Sequence, residues 1–413
     1  MRIAIIGGGI SGLTAAHLFK DIHEVHVYEK CDRPGGLIKC DVIEGSIFHR
    51  TGGHVFNTKR QDVKDLFWKF FDEEKDFLKA NRRSVVSMGN GDIIPYPIED
   101  HFYLFEDNVV KSIVNDLLDI ASRNERKDSN FVDFLQNQFG PTLYELYFKP
   151  YNKKVWRRDL KNVSLSWLEG KLPMPSIEEI LYNNLKKIDE KKFVHSTFYY
   201  PIKDGSQFLA DKLAQGLDIN YNSDIQFIKK YKDRWIIDGS EFEMIIFCGN
   251  IKQLPQLIKN QIDLSGFDSE IDKLEFHGTT SVFCEIDKNN YTWVYLPDQS
   301  HESHRIICTG NFSPNNNAHS RSTATIEFTD FINREEIVRQ LEKVPFHPRY
   351  LAHNYEKFTY PIQNAETRNL IASLKKRLEK HNIFLLGRFA EWEYYNMDVA
   401  MGAAIDLNLK LKR

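Results

Sequence analysis

No stretch of the chain stays apolar for the ~20 residues that a membrane-crossing helix needs, so no membrane span is expected. Cysteine is scarce: five residues, at 31, 40, 248, 284 and 308, with an odd total and no C-x-x-C pair. That excludes a disulfide framework and a zinc ribbon, and points to reduced, mostly buried thiols and no metal site. Neither sign of charge is in excess. Lys plus Arg number 55 against 58 Asp plus Glu, a net charge of -3, which argues against a polybasic nucleic-acid binder and against an acidic tail. A strand-like run begins at Ile3 and leaves no room for a signal peptide, so a cytoplasmic location is expected. What is plentiful is apolar and aromatic material, 42% and 13% of 413 residues. That suffices for a large core in two or three domains and for an aromatic-lined ligand cleft.

The most informative run is Ile3-Ala4-Ile5-Ile6-Gly7-Gly8-Gly9-Ile10-Ser11-Gly12-Leu13. A buried-strand pattern runs into Gly7-x-Gly9-x-x-Gly12, and a helical pattern follows to Phe19. The glycines allow a tight turn, close approach of backbone to a pyrophosphate, and helix-on-strand packing. A second strand, Val25 to Tyr28, ends in Glu29, where a carboxylate accepts from the adenosine ribose. This is a dinucleotide-binding pattern.

A second glycine pair, Gly35-Gly36, follows soon after the acid. A nicotinamide domain does not ordinarily need it. It resembles the extended pattern of FAD enzymes of the amine-oxidase type, in which this loop wraps the cofactor phosphates and Lys30 or Arg33 lies near the adenosine. The fold class expected is α/β: an FAD-binding Rossmann-like domain of the amine-oxidase type with an inserted helical domain and an antiparallel β-sheet domain. The expected boundaries are 1–80, 200–275 and 375–413 for the FAD domain, 100–198 for the helical domain, and 81–99 plus 276–374 for the sheet.

Within that plan, residues 62–80 read as one amphipathic helix. Residues 84–87 and 93–94 form a hairpin leading to Tyr96-Pro97, where two flanking prolines hold Tyr96 extended, for a ligand or for the core. Gly52-Gly53-His54 is a tight turn. By likeness to FAD folds it comes against the flavin, with His54 sensing its redox state or capping the turn. Residues 108–192 turn helical, with an ending at Gly140-Pro141. The segment Leu143 to Trp156 alternates aromatics with bases, which on a net acidic chain suggests a small anion. Asn396 or Asp398 is expected to cap a helix from Val399 to Lys410.

Taken in order, Gly52-Gly53-His54-Val55-Phe56, Tyr96-Pro97, Pro150 to Trp156, Trp167-Leu168, Tyr199-Tyr200-Pro201, Asn311 to Pro314, Tyr360-Pro361 and Gly387-Arg388-Phe389-x-x-Trp392-x-Tyr394 resemble the UDP-galactopyranose mutase family, closest to its eukaryotic type and amine-oxidase-like relatives. The resemblance spans nearly the whole chain. It implies a flavin-dependent isomerase in which reduced FAD, charged by NAD(P)H, attacks the anomeric carbon of a nucleotide sugar through N5 and displaces the diphosphate, for surface polysaccharide synthesis. By the same resemblance Arg305 grips the diphosphate, Lys171 stands where a second arginine is usual, and His54 completes the catalytic set. Tyr96, Trp156, Trp293, Tyr295, Tyr360 and Tyr394 bind substrate. Gly7, Gly9, Gly12, Glu29, Gly35, Gly36, Gly53, Arg388, Asn396 and Asp398 bind the cofactor.

Three positions depart from the family. Lys171 keeps charge without a bidentate fork, Phe312 replaces a phosphate-bonding tyrosine, and Ile98-Glu99 replaces a uracil-facing Phe-Gln pair, leaving base and sugar open. An FAD oxidoreductase of the amine-oxidase or desaturase kind and a non-catalytic flavoprotein scaffold are the competing classes. A nucleotide sugar is the expected partner, and a homo-oligomer is compatible with the sequence.

Overall fold

The computed structural model describes residues 1–123, 128–165, 174–188 and 197–412, the side chain of residue 365 excepted. Lys171 and the Trp167-Leu168 pair lie outside the described residues, as does most of the polar link at 123–128.

A five-stranded parallel sheet forms the first layer, in the order Ile383–Leu385, Met244–Phe247, β1 (Arg2–Ile6), β2 (Glu24–Tyr28), Asp218–Asn220. β1 is central and buried on both faces, which is why it reads as a continuous apolar run. Ile3 and Ile5 pack under α1 (Ile10–Phe19) and under the C-terminal helix Met397–Leu411. Ala4 and Ile6 face the other way, toward Trp235 of a three-stranded meander and Leu374 and Leu378 of the helix Ala365–Glu379. That helix straddles the expected boundary at 374/375.

The second sheet has seven strands, in the order Arg349–Pro361, Phe276–Ile286, Ser322–Thr329, Arg305–Ile307, Trp293–Tyr295, Ser84–Ser87, Ile93–Pro95. It is mixed rather than purely antiparallel, because Trp293–Tyr295 runs parallel to Ser84–Ser87. Strand alternation sorts its residues cleanly. Val294, Ile306, Ile326 and Val282 form an apolar core with Ile337 of the helix Arg334–Leu341. The opposite face carries Trp293, Tyr295, Arg305 and Glu327.

The helical insertion comprises Asp107–Ser122, Phe131–Leu143, Lys149–Trp156 and Ile177–Lys186. The helical path breaks at Gly140, whose φ 87 and ψ 155 are not helical, so the ending expected at Gly140-Pro141 falls at a kink between two helices, and Asp116 accepts from the Thr142 N–H at 2.8 Å. The single helix expected at 62–80 is corrected. It stops at Phe70, a short turn capped by Asp72 follows, and Phe77–Asn81 becomes a strand paired with Thr197–Pro201. The apolar spacing was satisfied by an aromatic cluster instead, in which Phe67 meets Phe71 and Phe77.

Candidate functional site

The glycine turn has the shape its spacing implies. Gly7 takes φ 116, and a Cβ on Gly12 would lie 2.0 Å from the Gly7 carbonyl oxygen, so only glycine fits there. Gly9 opens α1 and pairs with Gly35, whose N–H donates to the Gly8 carbonyl at 2.9 Å; Gly36 packs against Gly9. Glu29, buried, accepts from the Gly8 N–H at 2.7 Å and the Cys31 N–H at 3.0 Å. Arg33 is paired with Asp41.

The Gly52-Gly53-His54 turn lies on the polar face of the seven-stranded sheet. A Cβ on Gly53 would come 2.7 Å from Ile307 Cγ2 and 3.3 Å from Trp293 Nε1. His54 Nε2 is covered and has no hydrogen-bond partner among the described residues. Burial, then the charge of Arg388, lowers His54 to about 4. His49 sits beside it, fully buried and lowered by burial to about 3. Its ring nitrogens lie 2.8 Å from Tyr200 Oη and 3.3 Å from the His54 N–H. Both imidazoles are neutral at neutral pH.

Arg305 donates to buried Glu327 on the neighbouring strand and, through Nη2, to Tyr360 Oη at 2.8 Å. Burial pushes the Glu327 carboxyl up; the Arg305 charge, aided by His304, outweighs this and holds it below the usual carboxylate range. Tyr360 stacks on Tyr394 with centroids 5.5 Å apart, and the Arg388 guanidinium covers the far ring, 4.7 Å from its centroid. Arg388 in turn donates to the Thr359 carbonyl at 3.0 Å and to the Tyr395 carbonyl. Two arginines and two tyrosines thus form one continuous ladder.

On the other flank Tyr295 lies directly across from Arg305, its ring 4.7 Å from Tyr96 and 5.6 Å from Tyr151. Arg82 is stacked over Trp293 at 4.6 Å and donates to Tyr295 Oη and Ser84 Oγ, each at 2.8 Å. Trp156 is buried in the core of the helical insertion, its carbonyl 2.8 Å from His277 Nε2.

His54, Gly53, Trp293, Tyr295, Arg305, Tyr360, Tyr394 and Arg388 therefore converge, with Tyr96 reached through Tyr295. Asn396 is exposed and occupies the cap position of the helix Met397–Leu411 without a side-chain cap bond, so the capping expected of it is not made. Asp398 lies in the first turn, its carboxyl raised by burial. The charges in and just after the aromatic-basic segment are paired within the protein: Lys149 with Glu145 one turn earlier, Arg157 with Glu302 and Arg158 with Glu275, while Lys154 is buried against carbonyls. Sequence reasoning passed over Glu327, Arg82, Tyr151 and the role of His49. The signal for Glu327 was present, a lone carboxylate inside the strand Ser-Thr-Ala-Thr-Ile-Glu-Phe-Thr.

A family described as an NAD(P)-binding Rossmann-like domain matches residues 5–73. A UDP-galactopyranose mutase of Mycoplasma genitalium is 22% identical over 97% of this chain and 92% of its own. A dTDP-fucopyranose mutase of Escherichia coli is 24% identical, covering 98% and 97%. The resemblance to the UDP-galactopyranose mutases runs the whole length of the chain. A crystal structure of reduced UDP-galactopyranose mutase superposes with a TM-score of 0.88 at 21% identity, over 100% of this chain and 93% of that one. The expected fold class, FAD-type α/β with a Rossmann-like first domain, is borne out. No helix among the described residues is long and apolar enough to cross a membrane, and no group of three or more His, Cys, Asp or Glu residues among them is placed to hold a metal ion.

Proposed function

We propose that the protein is a flavin-dependent nucleotide-sugar mutase that interconverts the pyranose and furanose forms of a sugar carried on a nucleoside diphosphate, for surface polysaccharide synthesis, with FAD reduced by NAD(P)H. The residues fit the cofactor. Gly7, Gly9 and Gly12 leave a cradle that a Cβ at Gly12 would close, Glu29 is buried beside it, and the covered, unpartnered Nε2 of His54 marks a polar surface awaiting a partner. When bound there, reduced FAD would supply an electron-rich ring for chemistry at the anomeric carbon.

The observation that carries the reading is the Arg305 constellation beside the glycine turn. A nucleoside diphosphate leaving group needs fixed donors, and Arg305, locked by Glu327 and presented with Tyr360 Oη, provides them in place before substrate arrives. Tyr96, Trp293, Tyr295 and Tyr394 supply aromatic walls for base and sugar and exclude water. Neutral His54 offers a hydrogen bond without adding charge. An apolar amine or isoprenoid substrate gives this arginine nothing to do. Anaerobic incubation of reduced and oxidised protein with UDP- and dTDP-linked pyranoses and furanoses, read by chromatography, tests the proposal. Interconversion by the reduced form alone supports it. Substrate bleaching of the oxidised flavin with no interconversion refutes it.

A further inference from the structure

We infer that Lys154 is a positioning residue that ties the helical insertion to the hairpin carrying Tyr295 and Arg305. Its ammonium is buried and donates to the carbonyls of Leu296, at 2.9 Å, and Ser303, at 3.0 Å. These carbonyls stand at the two ends of the loop that joins Trp293–Tyr295 to Arg305–Ile307, whose mouth is closed by the Leu296 N–H donating to the His304 carbonyl at 2.9 Å. One side chain therefore grips both strands, one residue from Tyr295 and two from Arg305. No carboxylate among the described residues lies within 4.0 Å of it, so its bonds are spent wholly on the hairpin backbone.

The groups around it are accounted for. Asp298 and Glu302 favour its charge, while burial opposes it and is the larger effect, lowering the amine to about 7. His301 is neutral, its Nδ1 2.8 Å from Ser303 Oγ, and His304 faces Glu327 at 3.6 Å. Both amine forms keep at least two N–H donors, so the grip persists across that titration. Gln299 donating to the Pro150 carbonyl at 3.2 Å and the exposed Arg157–Glu302 pair also join the two parts, but each touches only the loop's outer residues.

Substrate grip at Arg305 thus depends on the docking of a helix that does not itself carry Arg305. The inference rests on reading Tyr295 and Arg305 as substrate groups. It is tested on the FAD-loaded protein with Lys154→Met, by amide hydrogen exchange without ligand and by titration with UDP at a temperature well below unfolding. Exchange in 296–305 should rise while the parallel sheet is unchanged, and the UDP dissociation constant should rise about 10-fold or more, as expected when a gripping group is displaced by a fraction of an ångström. Arg157→Gln should change neither. Should Lys154→Met not fold, Lys154→Gln, shorter but still a double donor, carries the same measurements with smaller changes in the same direction. Exchange that is unchanged, or raised equally throughout the protein, overturns the inference, as does an unaltered UDP affinity. If the native protein binds no UDP, the titration uses the nucleoside diphosphate it does bind; if it binds none, the proposed function fails and the exchange result alone decides the role of Lys154.

Discussion

Glu327 accepts from two directions at once: from Arg305 on the adjacent strand and from the N–H of Gly52, at 2.8 Å, in the turn that ends in His54. One fully buried carboxylate thereby holds the proposed substrate arginine and the proposed flavin-facing turn in register. Replacing it by glutamine leaves a largely buried guanidinium without its counter-ion, which costs about 3 kcal/mol. Denaturant unfolding of the Glu327→Gln protein checks this. The native carboxyl is held below its usual range, so its stabilisation is present above an ordinary glutamate pKa and is lost as pH falls below it. The acid limb of the native stability curve should therefore be steeper than that of the variant.

His49 gives a second pH signature. Its folded pKa is lowered to about 3 by burial, so below an ordinary histidine value the unfolded chain binds a proton that the native state refuses. Between about pH 6.5 and 4 this one residue should cost stability at up to about 1.4 kcal/mol per pH unit. Unfolding free energies measured across that window in the native and His49→Gln proteins should diverge in slope by this amount.

Gly12→Ala places a methyl group 2.0 Å from the Gly7 carbonyl oxygen, inside the turn that cradles the pyrophosphate. The strand and helix cannot separate without opening the parallel sheet at β1. The variant is expected to purify without flavin, read as the ratio of visible to ultraviolet absorbance. Retention of full flavin would place the cofactor elsewhere.

Tyr360→Phe removes the acceptor of Arg305 Nη2 but leaves the ring stacked on Tyr394. Loss of one hydrogen bond to a charged group should weaken UDP binding by about 10-fold, with little effect on flavin content. Calorimetric titration of both proteins measures it.

Much of the first layer was legible in the sequence because its physics is local. Gly12 is forced by a backbone contact only five residues away, and β1 is a buried strand in which Ile3 to Ile6 are all apolar. The second sheet was read strand by strand, yet the partner of Arg305 was not, because the Arg305–Glu327 pairing is a matter of register between strands 22 residues apart. Arg82 was missed for the same reason, since it reaches the site only through the parallel pairing of Ser84–Ser87 with Trp293–Tyr295. The use made of the aromatic-basic segment Leu143 to Trp156 was not legible either, because Lys154 faces a loop distant in sequence while Tyr151 meets Tyr295. Residues 77–81 misled because Phe77 satisfies a helical face equally well as a strand residue packed on Phe67.

The chemistry proposed for the site is cleavage of the bond between the anomeric carbon and the diphosphate, followed by reclosure of the sugar ring. The most direct measurement supplies the protein with a nucleotide sugar labelled with oxygen-18 in the anomeric carbon–oxygen–phosphorus bridge and follows the label by phosphorus NMR. With reduced FAD the label should spread into the non-bridging oxygens of the β-phosphate as pyranose and furanose interconvert, and with oxidised FAD it should stay in the bridge. A label that remains in the bridge under reducing conditions, with the ring form unchanged for every nucleotide sugar offered, would rule that chemistry out.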